Sequence, residues 1–439
     1  MTAELRAAID ALDPGELGAE LFAHVAEWYP WLRSITGEGL RRQLRAMGTH
    51  IPLTVHEVPS GTAVFDWTVP REWNLRAAYI ADRAGRRVVD VADHPLHVMG
   101  YSVPVRARLS KAALAAHMFT DPEQPHRIPY RTSYYEERWG FCMAHAAWEA
   151  LPEGEYEVVV DASLEEGALS YGECILPGET QEVFLISAHA CHPGLANDNC
   201  SGLAVAMRLA QLLQAVPRRY TYHFIFGPGT IGAITWLARN EALAPRVAHG
   251  LTLACVGDAG PFHYKQSRRE DAPIDRAVAQ AFAELGVPHG VLPFSPYGYD
   301  ERQYCSPGFN LPVGCFMRAQ PGGFPEYHSS DDNLDLVRPE ALGDALRVLA
   351  EVVVRCEGNA RYANLNPKCE PQLGKRGLYD AIGGRSDAKG LQMAMLWILN
   401  YSDGAHDLLA IAARSGLPWA QVRAAADALL AAQLLQAER

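Results

Sequence analysis

The spacing of hydrophobic and polar residues divides the chain into parts with different secondary structure. Residues 1 to about 50 carry apolar side chains at helical spacing, as from Leu17 to Trp28. From about residue 55 to 160, short runs with β-like character are broken by Pro and Gly, which predicts a β-rich module. From about residue 182 to 350, strand patterns alternate with helix patterns. This alternation predicts an α/β fold, with a mostly parallel sheet covered by helices on both faces.

The α/β part is expected to contain four main strands and four main helices. The strands are predicted at residues 183–188, 222–226, 251–256 and 313–317. The helices are predicted at residues 203–214, 231–240, 274–285 and 339–355. Helical patterns at 391–399, 407–414 and 419–435 predict a C-terminal module that resembles a winged helix. The predicted division is N-terminal helices packing on the core at 1–54, an inserted β-rich domain at 55–153, the α/β core at 154–360 and the winged-helix-like module at 374–439.

Composition and charge narrow the possible partners. The 439 residues are 49% hydrophobic and 21% charged, as in globular proteins, and their net charge of −12 repels polyanions. The predicted recognition helix of the C-terminal module carries one cation, Arg423, whereas a phosphate-binding surface needs several. We therefore expect no nucleic acid partner, and we prefer a packing or oligomerisation role for this module. The sequence leaves open whether the protein forms a homo-oligomer.

Cysteine spacing and the N-terminal sequence indicate the compartment. The nine cysteines include no Cys-x-x-Cys pair, which is typical of free thiols in a reducing cytoplasm. The N-terminus has no basic region followed by an apolar stretch, and the longest uncharged run, 220–238, contains Gly, Pro and His. We expect a cytoplasmic protein without membrane contact, whose partner is a small-molecule or short-peptide substrate.

Imidazoles and carboxylates fall at the ends of the predicted strands. His189 ends the first strand, and His192 and Asp198 lie in the loop that follows it. Asp258 follows the third strand, and His328 follows the last one. Because neighbouring parallel strands release their loops at one edge of a sheet, these side chains are expected to meet there. Imidazole nitrogen and carboxylate oxygen are zinc ligands, so the pattern predicts a metal site.

Each of these residues also fits an ordinary structural role, which for His189 is that of a hydrogen-bonded structural histidine. Asp198 suits the N-terminal cap of the helix that follows it, and Asp258 suits a turn. His328 lies among polar residues, as in a surface loop. His192 suits either a metal ion or the orientation of a neighbouring side chain.

The residues at these strand ends resemble those of the co-catalytic zinc aminopeptidases, whose relatives include the glutaminyl cyclases and the transferrin-receptor-like carboxypeptidases. The similarity lies in His189, the Asn-Asp-Asn-x-Ser-Gly block around Asp198, the strand end at Asp258 and the Tyr-His-Ser-Ser-Asp block around His328. More narrowly, the chain is similar to a bacterial aminopeptidase-like group with a peptidase core, an inserted β-rich domain and a C-terminal winged helix. The resemblance implies that His189 and Asp258 bind one zinc, that His328 binds a second, and that Asp198 bridges the pair.

The chain departs from this family after the second strand, where the family has a Glu-Glu pair that supplies a general base and a metal ligand. Gly229 and Thr230 occupy these positions, and neither replaces a carboxylate. The site could therefore hold either one zinc ion or two, and the loss of the Glu-Glu pair counts against a generic peptidase. Asp300-Glu301 is the best-placed carboxylate pair, of which we favour Glu301 as the general base, and Glu326 is the next candidate.

Aromatic residues in the β-rich module are a candidate substrate-binding surface. Tyr135 and Arg131 lie in a segment, 130–141, that is rich in rings. Such a cluster is commonly part of a core or a domain interface. If the inserted domain overhangs the metal edge, however, Tyr135 and Arg131 would form part of a lid that selects the substrate.

Three functions follow from these observations. The first is a zinc-dependent aminopeptidase-like hydrolase acting on an N-terminal residue or an amide bond of a short peptide or small metabolite. The second is an amide-forming or cyclising enzyme of specialised metabolism that uses the same pocket, which the change at Gly229-Thr230 favours. The third is a non-catalytic binding protein that keeps the peptidase fold.

Overall fold

A computed structural model of the chain describes residues 2–378 and 388–438. Residues 379–387 and 439 of the predicted C-terminal module lie outside the described residues, as does Met1. The helices are α1 (Thr2–Asp10), α2 (Pro14–Trp28), α3 (Glu38–Gly48), α4 (Lys111–Leu114), α5 (His145–Ala150), α6 (Gly202–Gln214), α7 (Ile231–Arg239), α8 (Pro273–Leu285), α9 (Glu301–Tyr304), α10 (Pro339–Gly358), α11 (Ala388–Tyr401), α12 (Leu408–Ser415) and α13 (Trp419–Ala431). The strands are β1 (Leu53–Pro59), β2 (Ala63–Val64), β3 (Trp67–Thr68), β4 (Glu72–Ala81), β5 (Arg87–Asp90), β6 (Val105–Ser110), β7 (Met118–Phe119), β8 (Phe141–Cys142), β9 (Glu155–Glu165), β10 (Ala168–Leu176), β11 (Val183–His189), β12 (Thr221–Gly227), β13 (Val247–Leu253), β14 (Phe262–Lys265), β15 (His289–Leu292), β16 (Val313–Met317), β17 (Arg361–Asn364), β18 (Asp403–Asp407) and β19 (Leu435–Ala437).

An eight-stranded mixed sheet forms the centre of the molecule, with strand order β1-β10-β12-β11-β13-β16-β14-β15. Strand β11 pairs in parallel with β12 and β13, and β13 pairs in parallel with β16. These four strands therefore end at the same edge of the sheet. Helices α2, α6, α8 and α10 pack on one face, and α7 packs on the other. The predicted α/β fold with helices on both faces is confirmed.

Burial explains why β11 lies in the middle of this sheet. Its sequence, Val-Phe-Leu-Ile-Ser-Ala-His, is buried at every position, as expected of a strand that is covered on both faces. Helix α6 begins at Gly202, shortly after the loop that leaves β11, and buries ten of its thirteen residues beside the same core. The segment between β11 and α6 is thus held rigidly at both ends.

The inserted domain contains a second, antiparallel sheet with strand order β5-β4-β9-β6. Strand β9 belongs to this smaller sheet, which therefore extends past the predicted boundary at residue 153 to Glu165. Strand β1, by contrast, pairs with β10 in the central sheet. The inserted domain thus leaves the core after β1 and returns to it at β10.

The inserted domain touches the core through a short backbone pairing between segments 128–130 and 328–330. Pro129 and Ser329 form an antiparallel bridge, and the backbone N–H of Tyr130 donates to the carbonyl of His328 over 2.8 Å. The N–H of Ser330 donates to the carbonyl of Ile128 over 2.9 Å. The domain is therefore anchored beside His328.

The C-terminal module packs a three-stranded sheet, β18-β17-β19, with helices α11 to α13. The last helix ends at Ala431 rather than at residue 435, because the backbone turns at Gln433, whose φ is +56°, and continues as β19. Arg423 on α13 donates to the carbonyl of Gly358, at the end of α10. The one cation of this helix therefore contacts its own chain.

The cysteines, all of which lie among the described residues, form no disulfide bonds. All nine cysteines are free, and eight of them are buried. Within residues 2–378 and 388–438, every helix is too short or too polar to cross a lipid bilayer.

Candidate metal site

Three imidazoles surround one buried carboxylate at the edge where β11 ends. His189 is the last residue of β11, and its Nε2 lies 2.8 Å from Oδ1 of Asp198. His328 Nε2 lies 3.1 Å from Oδ2 of Asp198, and His192 Nδ1 lies 3.4 Å from the same oxygen. The ligand atoms of His189, His192 and Asp198 all lie within 4.8 Å of one another. We call these four residues the His₃Asp cluster.

The chemistry of the His₃Asp cluster fits a zinc ion. Nδ1 of His192 is buried and makes no hydrogen bond to any described residue, although it lies 3.4 Å from Oδ2 of Asp198, which is unusual for a polar atom and is explained if an ion binds there. Complete burial would raise the pKa of Asp198, but the facing imidazoles of His192 and His189 outweigh it and hold this pKa well below its usual value. Burial also lowers the pKa of His328, which favours a neutral imidazole. Burial would lower the pKa of His192 too, but the neighbouring Cys191 and Asp198 outweigh it and hold this pKa well above its usual value. Zinc takes imidazole nitrogen and carboxylate oxygen, and its binding would displace the proton that His192 otherwise holds.

The loop that carries Asp198 is held by buried polar groups from other segments. The carboxylate of Asp332 accepts hydrogen bonds from the backbone N–H groups of Asn197 (2.5 Å) and Asp198 (2.9 Å), and burial raises its pKa to about 7. The guanidinium of Arg33, from the N-terminal part, donates to the carbonyl of His192 over 2.7 and 3.0 Å. Polar neighbours of this kind orient metal ligands.

Tyrosine rings fix the orientation of the histidines. Tyr299 stacks on His189 with ring centroids 5.2 Å apart, and Tyr327 stacks on His328 at 3.9 Å. Tyr130, from the inserted domain, contacts His192 and His328 edge-on. No role for Tyr299 was predicted from the sequence, because nothing in its spacing relates it to the histidines. Tyr327 stands in the Tyr-His-Ser-Ser-Asp block around His328, but its stacking on that ring was not predicted.

A cavity of about 430 Å³ opens above the His₃Asp cluster, with His189, His192 and His328 among its walls. Three aromatic side chains that are largely exposed also border it, namely Trp67 (43% exposed), Tyr135 (50%) and Tyr297 (66%). Trp67 and Tyr135 contact each other edge-on, with centroids 5.6 Å apart. We call these three rings the aromatic mouth. The inserted domain supplies two of them, so it does overhang the cluster.

A strained turn forms another wall of the cavity. The N–H of Ile231 donates to the carbonyl of Gly229 over 2.8 Å, and Thr230 between them has φ +62° and ψ −75°, which makes a γ-turn of the rare, strained kind. The N–H of Thr230 donates to Oδ1 of Asp300 over 2.6 Å. Its hydroxyl accepts a hydrogen bond from the guanidinium of Arg302. Asp300 and Arg302 both border the cavity.

Asp258, a ligand in the sequence-based prediction, lies outside the His₃Asp cluster. Strand β13 ends at Leu253, and Cys255, with φ +49°, turns the chain before Asp258 is reached. The carboxylate of Asp258 instead accepts hydrogen bonds from the side chain of Asn197 (3.0 Å) and the N–H of Gly260 (2.7 Å). It therefore supports the loop around Asp198 from behind, whereas His192 takes a place among the imidazoles.

The predicted base and one predicted substrate contact also lie elsewhere. Glu301 is fully buried, forms an ion pair with Lys265 and is not among the residues that border the cavity. Its neighbour Asp300 borders the cavity instead, because successive residues at the start of a helix point in different directions. Of the two predicted substrate contacts, Tyr135 belongs to the aromatic mouth, whereas Arg131 is exposed and does not border the cavity.

Comparison with known proteins gives a family match for most of the chain. A family model described as "Domain of unknown function (DUF4910)" matches residues 22–359. A second model, described as "winged helix-turn-helix", matches residues 360–437, as expected for the C-terminal module. A Clostridium acetobutylicum protein, provisionally named a polysaccharide biosynthesis protein with an aminopeptidase-like domain, is 46% identical over 421 residues, which are 96% of this chain and 97% of that one.

Solved structures share the fold. A crystal structure of a Clostridium acetobutylicum protein provisionally named a peptidase matches with a TM-score of 0.92 and 44% identity, and covers 100% of both chains. A zinc aminopeptidase from Bacillus subtilis matches with a TM-score of 0.58 and 14% identity, over 77% of this chain and 95% of that chain. The second likeness shows that the core has the fold of a zinc aminopeptidase.

Proposed function

We propose that this chain, which belongs to the family described as "Domain of unknown function (DUF4910)", is a zinc-dependent amide hydrolase of the aminopeptidase type. The observation that carries the proposal is the convergence of three imidazoles on the buried carboxylate of Asp198 beside an open cavity. The substrate would be a short peptide or a small metabolite, cleaved at its N-terminal residue or at an amide bond. The shared fold with a zinc aminopeptidase supports this reaction class.

The side chains of the cavity determine what the protein would do with such a substrate. The His₃Asp cluster would hold zinc, and bound zinc supplies an acidified water and a Lewis acid for the amide carbonyl. The stacked tyrosines Tyr299 and Tyr327 keep the imidazoles in position. Gly229 and Thr230 offer no carboxylate for a second ion, and the Asp258 carboxylate is engaged elsewhere. We therefore expect a single zinc ion.

The aromatic mouth supports a substrate with a flat or ring-shaped group. Trp67, Tyr135 and Tyr297 present apolar ring faces at the opening of the cavity, where a ring could stack on them. A second candidate function follows from this surface: hydrolysis of an amide carried by a sugar. The name of the Clostridium acetobutylicum relative, which refers to polysaccharide biosynthesis, supports this second candidate.

Metal analysis combined with a substrate panel tests the proposed function. The purified full-length chain is analysed for zinc and assayed with aminoacyl p-nitroanilides and with N-acetylated hexosamines. We expect about one zinc per chain, together with hydrolysis that stops on chelation and returns when zinc is added. A chain that retains no zinc, or hydrolysis that is insensitive to the chelator, would contradict the proposal.

Substitution of Trp67 tests the role of the aromatic mouth. Trp67→Ala is expected to raise KM about three- to tenfold and to leave kcat unchanged, because an aromatic contact contributes about 0.5–1.5 kcal/mol to binding. Steady-state kinetics on the best amide of the panel provides the measurement. Phe65→Ala is the matched control, since Phe65 is an exposed ring between β2 and β3 that does not border this cavity. Equal effects of the two substitutions on KM would argue against the mouth as the substrate surface.

A further inference from the structure

The cavity contains one carboxylate that no metal-site assignment uses. Among the described residues that border it, Asp300 is the one with an acidic side chain. The residue as a whole is only 4% exposed, and it precedes the short helix α9. Burial in a protein wall normally requires partners for both oxygens of a carboxylate. The partners of Asp300 therefore indicate what this side chain does.

One oxygen of Asp300 is fixed and the other is left for the cavity. Oδ1 accepts the hydrogen bond from the N–H of Thr230 over 2.6 Å. The γ-turn at Thr230 is strained, and it aims this N–H at Asp300. Within residues 2–378 and 388–438, Oδ2 has no hydrogen-bond partner, although the residue borders the cavity. Asp300 thus has one anchored oxygen and one that is free to act.

The position of Asp300 relative to the His₃Asp cluster follows from Gly229. A Cβ atom placed on Gly229 would lie 3.7 Å from Cβ of His189 and 3.7 Å from Sγ of Cys191, which is ordinary contact distance. A side chain at residue 229 would therefore stand beside His189. Asp300 is hydrogen-bonded to the very next residue, Thr230, so its carboxylate reaches the same wall from another segment of the chain.

We propose that Asp300 is the general base of the hydrolysis, an inference that rests on the proposed function. The free oxygen of Asp300 takes a proton from the water that attacks the amide carbon, and the water oxygen forms the new C–O bond. The C–N bond then breaks with its electron pair going to nitrogen, and the proton on Asp300 passes to that nitrogen. The products are a carboxylic acid and an amine, and Asp300 returns to its ionised form.

Substitution of Asp300 tests this role through kinetics and metal content together. Asp300→Asn keeps the acceptor oxygen for Thr230 and removes the proton acceptor. With the best p-nitroanilide of the panel as probe, we expect kcat to fall by about 10²-fold or more, while zinc content and melting temperature stay at the wild-type level. A merely structural role would lower the melting temperature, and a metal-binding role would lower the zinc content.

A relocated carboxylate gives an independent readout. The double variant Asp300→Ala with Gly229→Glu places a glutamate beside His189, at a position where a Cβ atom meets its neighbours at ordinary contact distances. We expect this variant to regain roughly tenfold in kcat over Asp300→Ala alone. Glu301→Gln serves as the comparison, because Glu301 is adjacent in sequence but faces Lys265, so kcat should stay within about threefold of wild type while stability falls.

The outcomes separate the two proposals. If the wild-type chain binds no zinc and hydrolyses no amide, the proposed function falls and the assignment of Asp300 falls with it. If the wild type is an active zinc enzyme but Asp300→Asn keeps more than about a third of kcat, or loses its zinc, only the assignment of Asp300 is overturned.

Discussion

Replacing Asp198 with asparagine is expected to remove bound zinc and to lower amide hydrolysis by more than about 10²-fold. The carboxylate of Asp198 contacts three imidazoles, and the residue is fully buried from solvent. An amide of the same size cannot neutralise a divalent cation at this position, and its NH₂ group would face the imidazoles in place of an acceptor. Zinc content and kcat of the purified variant provide the measurement.

Asp258→Asn is the matched control for this prediction. Asp258 was the other aspartate predicted from the sequence, and its carboxylate bonds to Asn197 and Gly260 rather than to an imidazole. This variant should keep its zinc, and its kcat should stay within about threefold of wild type, because Asp258 faces no imidazole among the described residues and asparagine keeps an acceptor oxygen for the loop. The loss of one charged acceptor is expected to lower folding stability by about 1–3 kcal/mol. Zinc loss from Asp258→Asn but not from Asp198→Asn would contradict the His₃Asp cluster.

Replacing Asp332 with alanine is expected to destabilise the protein by about 2–6 kcal/mol, because two buried backbone N–H groups would each lose a partner worth about 1–3 kcal/mol. Those groups belong to Asn197 and Asp198, so the loop around the metal site would also lose its fixed shape. We expect zinc affinity to fall about 10- to 100-fold as a result. Urea unfolding and zinc titration with a competing chelator measure the two effects.

The adjacent residue Asp331 provides the control for Asp332. Asp331 forms an ion pair with Arg127 over 2.6 Å and is 42% exposed. Because exposed ion pairs contribute little, Asp331→Ala should lower stability by no more than about 1 kcal/mol and should leave zinc affinity unchanged. Similar losses of zinc affinity in both variants would show that Asp332 has no special role in holding the loop.

The convergence of distant histidines could be predicted from the sequence, because it follows from the topology of parallel strands. His189 and His328 are far apart in the chain, yet they follow strands β11 and β16, which end at one edge of the same sheet. Asp198 joins them because its loop is tied to the end of β11. These relations depend only on which segments are strands, and the hydrophobic pattern identifies those segments well.

The place of Asp258 could not be predicted, since it depends on where β13 stops. The apolar pattern continues through Ala254, Cys255 and Val256, whereas the strand ends at Leu253. A positive φ at Cys255 turns the chain, and a side chain a few residues later then faces the back of the loop instead of the front. Apolar residues in such a turn look the same in sequence as residues in the strand.

The choice between Asp300 and Glu301 was equally beyond the sequence. Both are acidic, both lie at the start of α9, and both are buried. Only their partners distinguish them: a backbone N–H at the cavity for Asp300 and the ammonium of Lys265 for Glu301. Such partners come from segments more than thirty residues away, which a local pattern does not reveal.

The pairing of segments 128–130 and 328–330 means that the inserted domain cannot be exchanged independently of the core. It holds the backbone of His328 in place, and its Tyr130 packs against two of the imidazoles. The same domain forms part of the rim of the cavity. A chimera that takes this domain from a relative would therefore exchange a support of the His₃Asp cluster together with part of the rim of the cavity. Both segments must for this reason come from the same parent.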